Sequence, residues 1–306
     1  MHTITYKLII ILILVIVTDM GYAQSFDDIF NASYSNFIEI DNSNSESAIK
    51  SNRMNVSKFY MAGPPIALKH LRIIYNAEHK WYQNNFKSRN AESPLFSDNI
   101  HDIRLTTIFN YKVNSQLAIN YVNFSTIKTD FKNFNFSNAY KSINALSIGF
   151  HVNGEDNLRF GLGAAYSKEM GDAMIVPVGF LYFKNNKWLI DLMYPRLNVF
   201  YKPFAKIEIG FIVNYDIGAF DVDFNDKAIA NMDIKPAYQT MTNLTFTPQI
   251  SYYIKKHFNI YARLGFNIMS EQALTDKHFN EIEKSVYNAV KISPTIGIGI
   301  SIKIPH

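Results

Sequence analysis

Ile296-Gly297-Ile298-Gly299-Ile300-Ser301-Ile302-Lys303-Ile304 carries an isoleucine at every second position, with Gly, Gly, Ser and Lys between them. Successive side chains of a β-strand point to opposite faces, so one face of this strand is wholly apolar and the other is small or charged. The same scheme recurs upstream. Phe258, Ile260, Leu264, Phe266 and Ile268 oppose Asn259, Tyr261, Arg263, Gly265 and Asn267. Leu158, Phe160, Leu162, Ala164 and Tyr166 oppose Arg159, Gly161, Gly163 and Ala165. Segments 146–152 and 103–113 repeat it, the latter with Arg104 on the polar side.

Arg104, Arg159, Arg263 and Lys303 all fall on the polar face. A Lys or Arg on a lipid-facing surface at the bilayer midplane costs roughly 2–4 kcal/mol, so this segregation fits a strand with lipid on one side. Many apolar faces end in Tyr or Phe near the strand tips, as an interfacial aromatic girdle does. A soluble sandwich also alternates, because one face of each of its sheets is solvated. Connection lengths favour the membrane. Short turns at Asn114-Ser115, Asn153-Gly154, Asn185-Asn186, Phe204-Ala205 and Lys255-Lys256 alternate with longer polar segments near 85–98, 131–141, 218–241 and 270–285. Short turns on one side and long loops on the other are the habit of outer-membrane barrels. The connections near Gly171 and Pro195 are short where that rhythm calls for a loop.

Residues 1–23 read as a cleaved signal peptide: Lys7, an apolar run from Leu8 to Val17, then Gly21-Tyr22-Ala23 before Gln24. Ten apolar residues are half of the ~20 that a membrane-crossing helix needs. No comparable run follows, so any span must be built from strands. The expected architecture is therefore all-β: one antiparallel transmembrane β-barrel over 24–306, of about 14 strands, with 12 to 16 fitting the spacing. Residues 24–53 are read as a weakly patterned lead-in holding one strand near Phe37-Ile38-Glu39-Ile40, and 276–287 has a weak helical look.

Composition sets further bounds. The 306 residues include no cysteine, which excludes disulfides, thiolate metal sites and a cysteine nucleophile. A net charge of +4 with no Lys/Arg block argues against nucleic acid as a partner. A mean hydropathy of −0.07 is too low for a helical membrane protein and fits alternating strands.

The segment Trp188-Leu189-Ile190-Asp191-Leu192-Met193-Tyr194-Pro195-Arg196-Leu197-Asn198-Val199-Phe200-Tyr201-Lys202-Pro203 and the turn Gly63-Pro64-Pro65-Ile66-Ala67-Leu68-Lys69 carry a resemblance. The chain resembles an uncharacterised outer-membrane β-barrel family of Bacteroidota-type bacteria, known only as a domain of unknown function. The resemblance implies a fold and a cell-outer-membrane location, and brings no catalytic residues. The C-terminus departs from many barrels, which end in an aromatic residue, by ending Ile304-Pro305-His306.

Chemistry is sparse. His101-Asp102 at a strand start is half of an acid–base pair or a solvated rim pair. Asp221, Asp223 and Asp226 offer hard oxygen ligands for calcium, without the Gly and distal Glu of a calcium loop. Gly161-Leu162-Gly163 and Gly297-Ile298-Gly299 lack the following helix of a phosphate loop. The four basic residues on the polar face are the most coherent set: together they would make a lumen anion-selective, or each pairs with an inward carboxylate such as Asp191. The expected protein is a non-enzyme with no cofactor: a pore or small-molecule transporter, or else a closed barrel whose outer loops bind a partner. Expected partners are outer-membrane lipid, the barrel-assembly machinery during biogenesis, and a small-molecule solute.

Overall fold

A computed structural model describes residues 28–41, 49–88, 96–152, 157–169, 173–193, 196–224, 236–282, 287–289 and 292–303. In chain order the strands are β1 Asp28–Asp41, β2 Ile49–Ala62, β3 Ile66–Ala67, β4 Leu71–Ser88, β5 Asn99–Lys112 and β6 Leu117–Thr129. A single turn of helix, α1 Phe136–Ala139, precedes β7 Tyr140–His151. There follow β8 Leu158–Ser167, β9 Met174–Lys184, β10 Trp188–Met193, β11 Arg196–Phe204 and β12 Ile207–Asp221. The last are β13 Tyr238–Tyr253, β14 Phe258–Thr275, β15 Tyr287–Ala289 and β16 Ser293–Lys303.

Fourteen of these form a closed wall in which each strand pairs antiparallel with its neighbours; β3 and β15 only extend β4 and β14. Closure runs through β1 and β16, with Tyr34 opposite Ile298 and Ala32 opposite Ile300. Closing the sheet leaves no wall edge with unpaired N–H and C=O groups, the condition for a sheet to sit in lipid.

Asp28 pairs with Lys303, so both ends of the wall lie at the short-turn end. Asparagine builds two of those turns. The Asn114 Oδ1 accepts the N–H groups of Gln116 and Leu117, both at 2.8 Å, and Asn185 does the same for Lys187 and Trp188. This local bond is why Asn-Ser and Asn-Asn read as turns in the sequence. The strand ends Thr129, Tyr140, Ser167, Met174, Met193 and Arg196 lie at the other end.

Burial is inverted relative to a water-soluble protein. Leu162 and Ile298 are 74% and 63% exposed, whereas Gln239 and Asn259 are 0% exposed. Apolar side chains therefore face out around the wall and polar ones fill the inside. Trp188 packs at a tilt on Tyr201 near the short-turn end, and Trp81 stacks on His101 towards the other.

Segment 24–53, read as a lead-in with one strand near Phe37-Ile38-Glu39-Ile40, holds that strand within the 14-residue β1 and also the start of β2. Its alternation is hidden because β1's outward face carries Ala32 and Asn36 beside Phe30 and Tyr34, so the apolar signal is diluted. Two local readings are revised. Within 276–287 no described residue is helical; Asp276–Ile282 is a turn bridged from Thr275 to Glu281. In β14 a bulge opposite Leu244/Thr245 shifts the phase, so Ile268 and Met269 are both exposed and Ser270, Gln272 and Leu274 turn inward. Residues 1–23, Asp226 and Ile304 lie outside the described residues.

Candidate functional site: the lumen

Two strands that are far apart around the wall touch across the inside. Thr129 of β6 bridges Asp221 of β12 in parallel register. The Asp130 N–H donates to the Asp221 carbonyl at 3.2 Å, and the Asp223 N–H donates to the Asp130 Oδ2 at 3.2 Å. Just inside, Met54, Tyr82, Ile100, Phe220, Val222 and Met241 form a buried apolar cluster drawn from opposite walls. These contacts bridge the lumen towards its long-loop end.

Deeper in, charges bridge the walls. Lys80 on β4 donates to Asp216 on β12 at 2.5 Å and lies 3.7 Å from Glu78, which also holds Lys58 at 2.5 Å. Lys128 on β6 is buried; it donates to the Glu169 carboxylate and to the Ile217 carbonyl at 3.0 Å. Its path crosses Gly218, where a Cβ would stand 2.3 Å from the Lys128 Nζ. Glycine at that position allows the two walls to approach. Between these contacts a cavity of about 80 Å³ remains, bordered by Ser35, Lys80, Asp216, Asn243, Arg263 and Thr295. That is room for a handful of waters.

The four basic residues singled out from the sequence all point inward, but they stand apart. Arg104 reaches Asp102 at 3.3 Å. Arg159 lies over the Tyr182 ring at 4.5 Å. Arg263 donates to the Gln249 side chain at 2.8 Å and rests on Tyr261. Lys303 donates to Glu208 at 2.5 Å, and Tyr253 donates to the same carboxylate at 2.9 Å. No ring of free cations forms among them. Asp191 is engaged by Arg196 at 2.9 Å instead.

Lys58, Glu78, Lys80, Asp216, Lys128 and Glu169 were not singled out from the sequence. Lys80, Asp216 and Lys128 sit on inward phases of alternating strands, which was the available signal. What the sequence could not show is that β4 and β6 each meet β12.

His101 and Asp102 lie on opposite faces, as strand neighbours must, so they form no acid–base pair. His101 stacks outward on His79 and Trp81, while Asp102 joins Arg104 inside. Two of the three calcium candidates, Asp221 and Asp223, sit at the β6–β12 contact. The Asp221 carbonyl accepts the Asp130 N–H, and the Asp223 N–H donates to the Asp130 carboxylate. No metal-type ligand group gathers among the described residues.

At the long-loop rim, exposed aromatics form a chain outside the barrel: His101 on Phe131, then Phe134, Phe136 and Tyr140. On the loop after β14, Phe279 stacks on Tyr238, with Lys141 4.7 Å above the Tyr238 ring. Asp276 shapes that loop by accepting from the Asn280 side chain and the N–H groups of His278 and Asn280, which holds its carboxyl below the usual range. Phe131 and Phe279 both have positive φ, at 58° and 67°. Such a conformation costs a non-glycine residue about 1 kcal/mol or more.

A closed antiparallel wall, apolar without and polar within, belt-marked by aromatics at both ends, defines a transmembrane β-barrel. The chain belongs to the family described as a domain of unknown function (DUF6268), whose model matches residues 23–303. No curated protein matches it. Among solved structures it is similar to the Pseudomonas putida toluene transporter TodX, at 11% identity and a TM-score of 0.38, over 95% of this chain and 94% of that one. It is also similar to the NanC porin, at 10% and 0.36 over 90% and 99%, and to the Escherichia coli outer membrane phospholipase A, at 11% and 0.32 over 94% and 96%. At such identities and scores the likeness says nothing of what this barrel conducts, binds or cleaves.

Proposed function

We propose that this protein is a gated pore or small-molecule transporter of the bacterial outer membrane, held closed in the structure described here. One observation carries the reading. The lumen is obstructed by side chains and strand ends of opposite walls, and not by a threaded plug segment among the described residues. Opening needs only that β12 part from β4 and β6. Buried ion pairs are a poor way to stabilise a permanent core, since well-packed apolar side chains of similar volume are often as good or better. They are, however, readily rehydrated when water enters, so a lumen of paired charges suits a passage that opens.

Export by residues 1–23, assembly by the outer-membrane machinery and a Bacteroidota-type origin belong to the same reading. So does the reading as a non-enzyme. The test is planar-bilayer recording of the refolded protein. Discrete, voltage- or solute-dependent openings support a gated pore, and a folded barrel that stays silent across salts and voltages counts against it.

A second reading rests on its own observation. Phe134 and Phe136 are 45% and 57% exposed on a loop beyond the wall, as a closed barrel with a partner-binding rim would present them. Retention of a partner lost on shortening loop 130–139, with no conductance, would favour it.

A further inference from the structure

The outward wall is not evenly convex. A groove of about 880 Å³ runs across β13, β14, β16, β1, β2 and β4. Its floor is made of small side chains, Ala32, Ser57 and Ala262, and its walls of large ones such as Phe59, Trp81 and Tyr252. That volume falls within the roughly 300–1,000 Å³ of ordinary small-molecule sites. Directly above it on β2, on the same face and four residues from Ser57, stands Arg53, about 13 Å along the strand. Arg53 is exposed. With the Asn36 amide turned to accept, its guanidinium donates to that side chain at 3.2 Å. Among the described residues no carboxylate forms an ion pair with it; the nearby Glu39 is taken by Lys87 at 2.7 Å and by Ser51 at 2.6 Å. At the groove's rim His79 and His101 share a ring-nitrogen contact of 3.1 Å beside Trp81.

We propose that this groove is a binding site for a phosphate-bearing, multi-acyl lipid of the leaflet at the long-loop end. Its acyl chains lie over Ser57 and Ala262, and its phosphate sits on Arg53. The groove faces the hydrocarbon, so acyl chains are its natural filling. The planar guanidinium fork matches phosphate oxygens two at a time. A second copy of the chain fits less well: a two-fold contact sets the same patch against itself, and two concave floors facing each other leave a void.

The test is native mass spectrometry of the full-length barrel in detergent, offered equal amounts of diphosphorylated lipid A and phosphatidylethanolamine. The wild type retains lipid A over phosphatidylethanolamine. Arg53→Ala and Arg53→Gln lower that preference roughly tenfold, the scale of a charge-assisted hydrogen bond. Ala262→Trp fills the floor and abolishes retention of both lipids. Heat-modifiable gel mobility confirms that each variant is folded, and the two Arg53 variants keep the test open should Ala262→Trp misfold. Equal retention of the two lipids, a preference that survives loss of Arg53, or a mass of two chains that Ala262→Trp dissociates would each overturn the proposal.

Discussion

Lys80 on β4 and Asp216 on β12 meet at 2.5 Å across the inside of the barrel, although 136 residues and nearly half the wall separate them. Neither strand neighbours the other, so the contact reports how far the wall is drawn in upon itself. The same is true of Lys128, which spans from β6 to the backbone of β12. A wall of this strand number, evenly rounded, would leave more interior than its own side chains fill, since eight strands already suffice for a filled barrel. The inward press of β12 is what removes that space.

Removing one partner of the Lys80–Asp216 pair leaves a buried charge, at a cost of up to about 3–5 kcal/mol unless water reaches it. We expect Asp216→Ala to open the passage more often in bilayer recordings. Lys80→Asp combined with Asp216→Lys restores the wild-type open probability. A double variant no quieter than the single one would show that the pair does not hold the walls.

Gly218→Val places side-chain atoms where Lys128 now passes. Lys128 then leaves Glu169 and the Ile217 carbonyl, and the variant melts earlier by a cost of about 1–3 kcal/mol, typical of overpacking. The readout is the temperature at which the compact gel band is lost, and an unchanged transition would contradict the contact.

The two tryptophans lie towards opposite ends of the wall, Trp81 towards the long-loop end and Trp188 near the short turns. In liposomes, quenchers attached near the lipid headgroup should dim Trp188 more than quenchers at the acyl-chain ends. Single-tryptophan variants assign each signal. Stronger quenching of Trp188 from the bilayer centre would show that the short-turn girdle is misplaced.

Ile298→Arg puts a charge on the lipid face at a position 63% exposed. The expected cost is about 2–4 kcal/mol, read from urea unfolding in liposomes. Ile298→Val should cost far less. Equal stability of the two would remove the lipid from that face.

Much of this fold is legible in the sequence because a strand states its own faces. Ile296, Ile298 and Ile300 declare the outward side of β16 without reference to any partner, and Asn114 and Asn185 declare their turns by bonding within three residues. The four basic residues on the polar face could be assigned for the same reason. Contacts between strands that are distant in the wall leave no such mark. Nothing local distinguishes Lys80, which crosses to Asp216, from Arg159, which rests on a neighbouring Tyr182. Likewise the bulge in β14 is set by its pairing with β13, so the phase change at Ile268–Met269 reads in the sequence only as a break in the pattern.

The most direct test of closure by β6 and β12 exploits a chain that has no cysteine of its own. Thr129→Cys with Asp221→Cys places two thiols at paired positions, within reach of a disulfide if the strands stay together. In planar bilayers the oxidised double variant should remain shut, and reductant should bring back the openings of the wild type. Openings that are unaffected by the disulfide, or silence in both redox states while the wild type conducts, would contradict a gate at this contact.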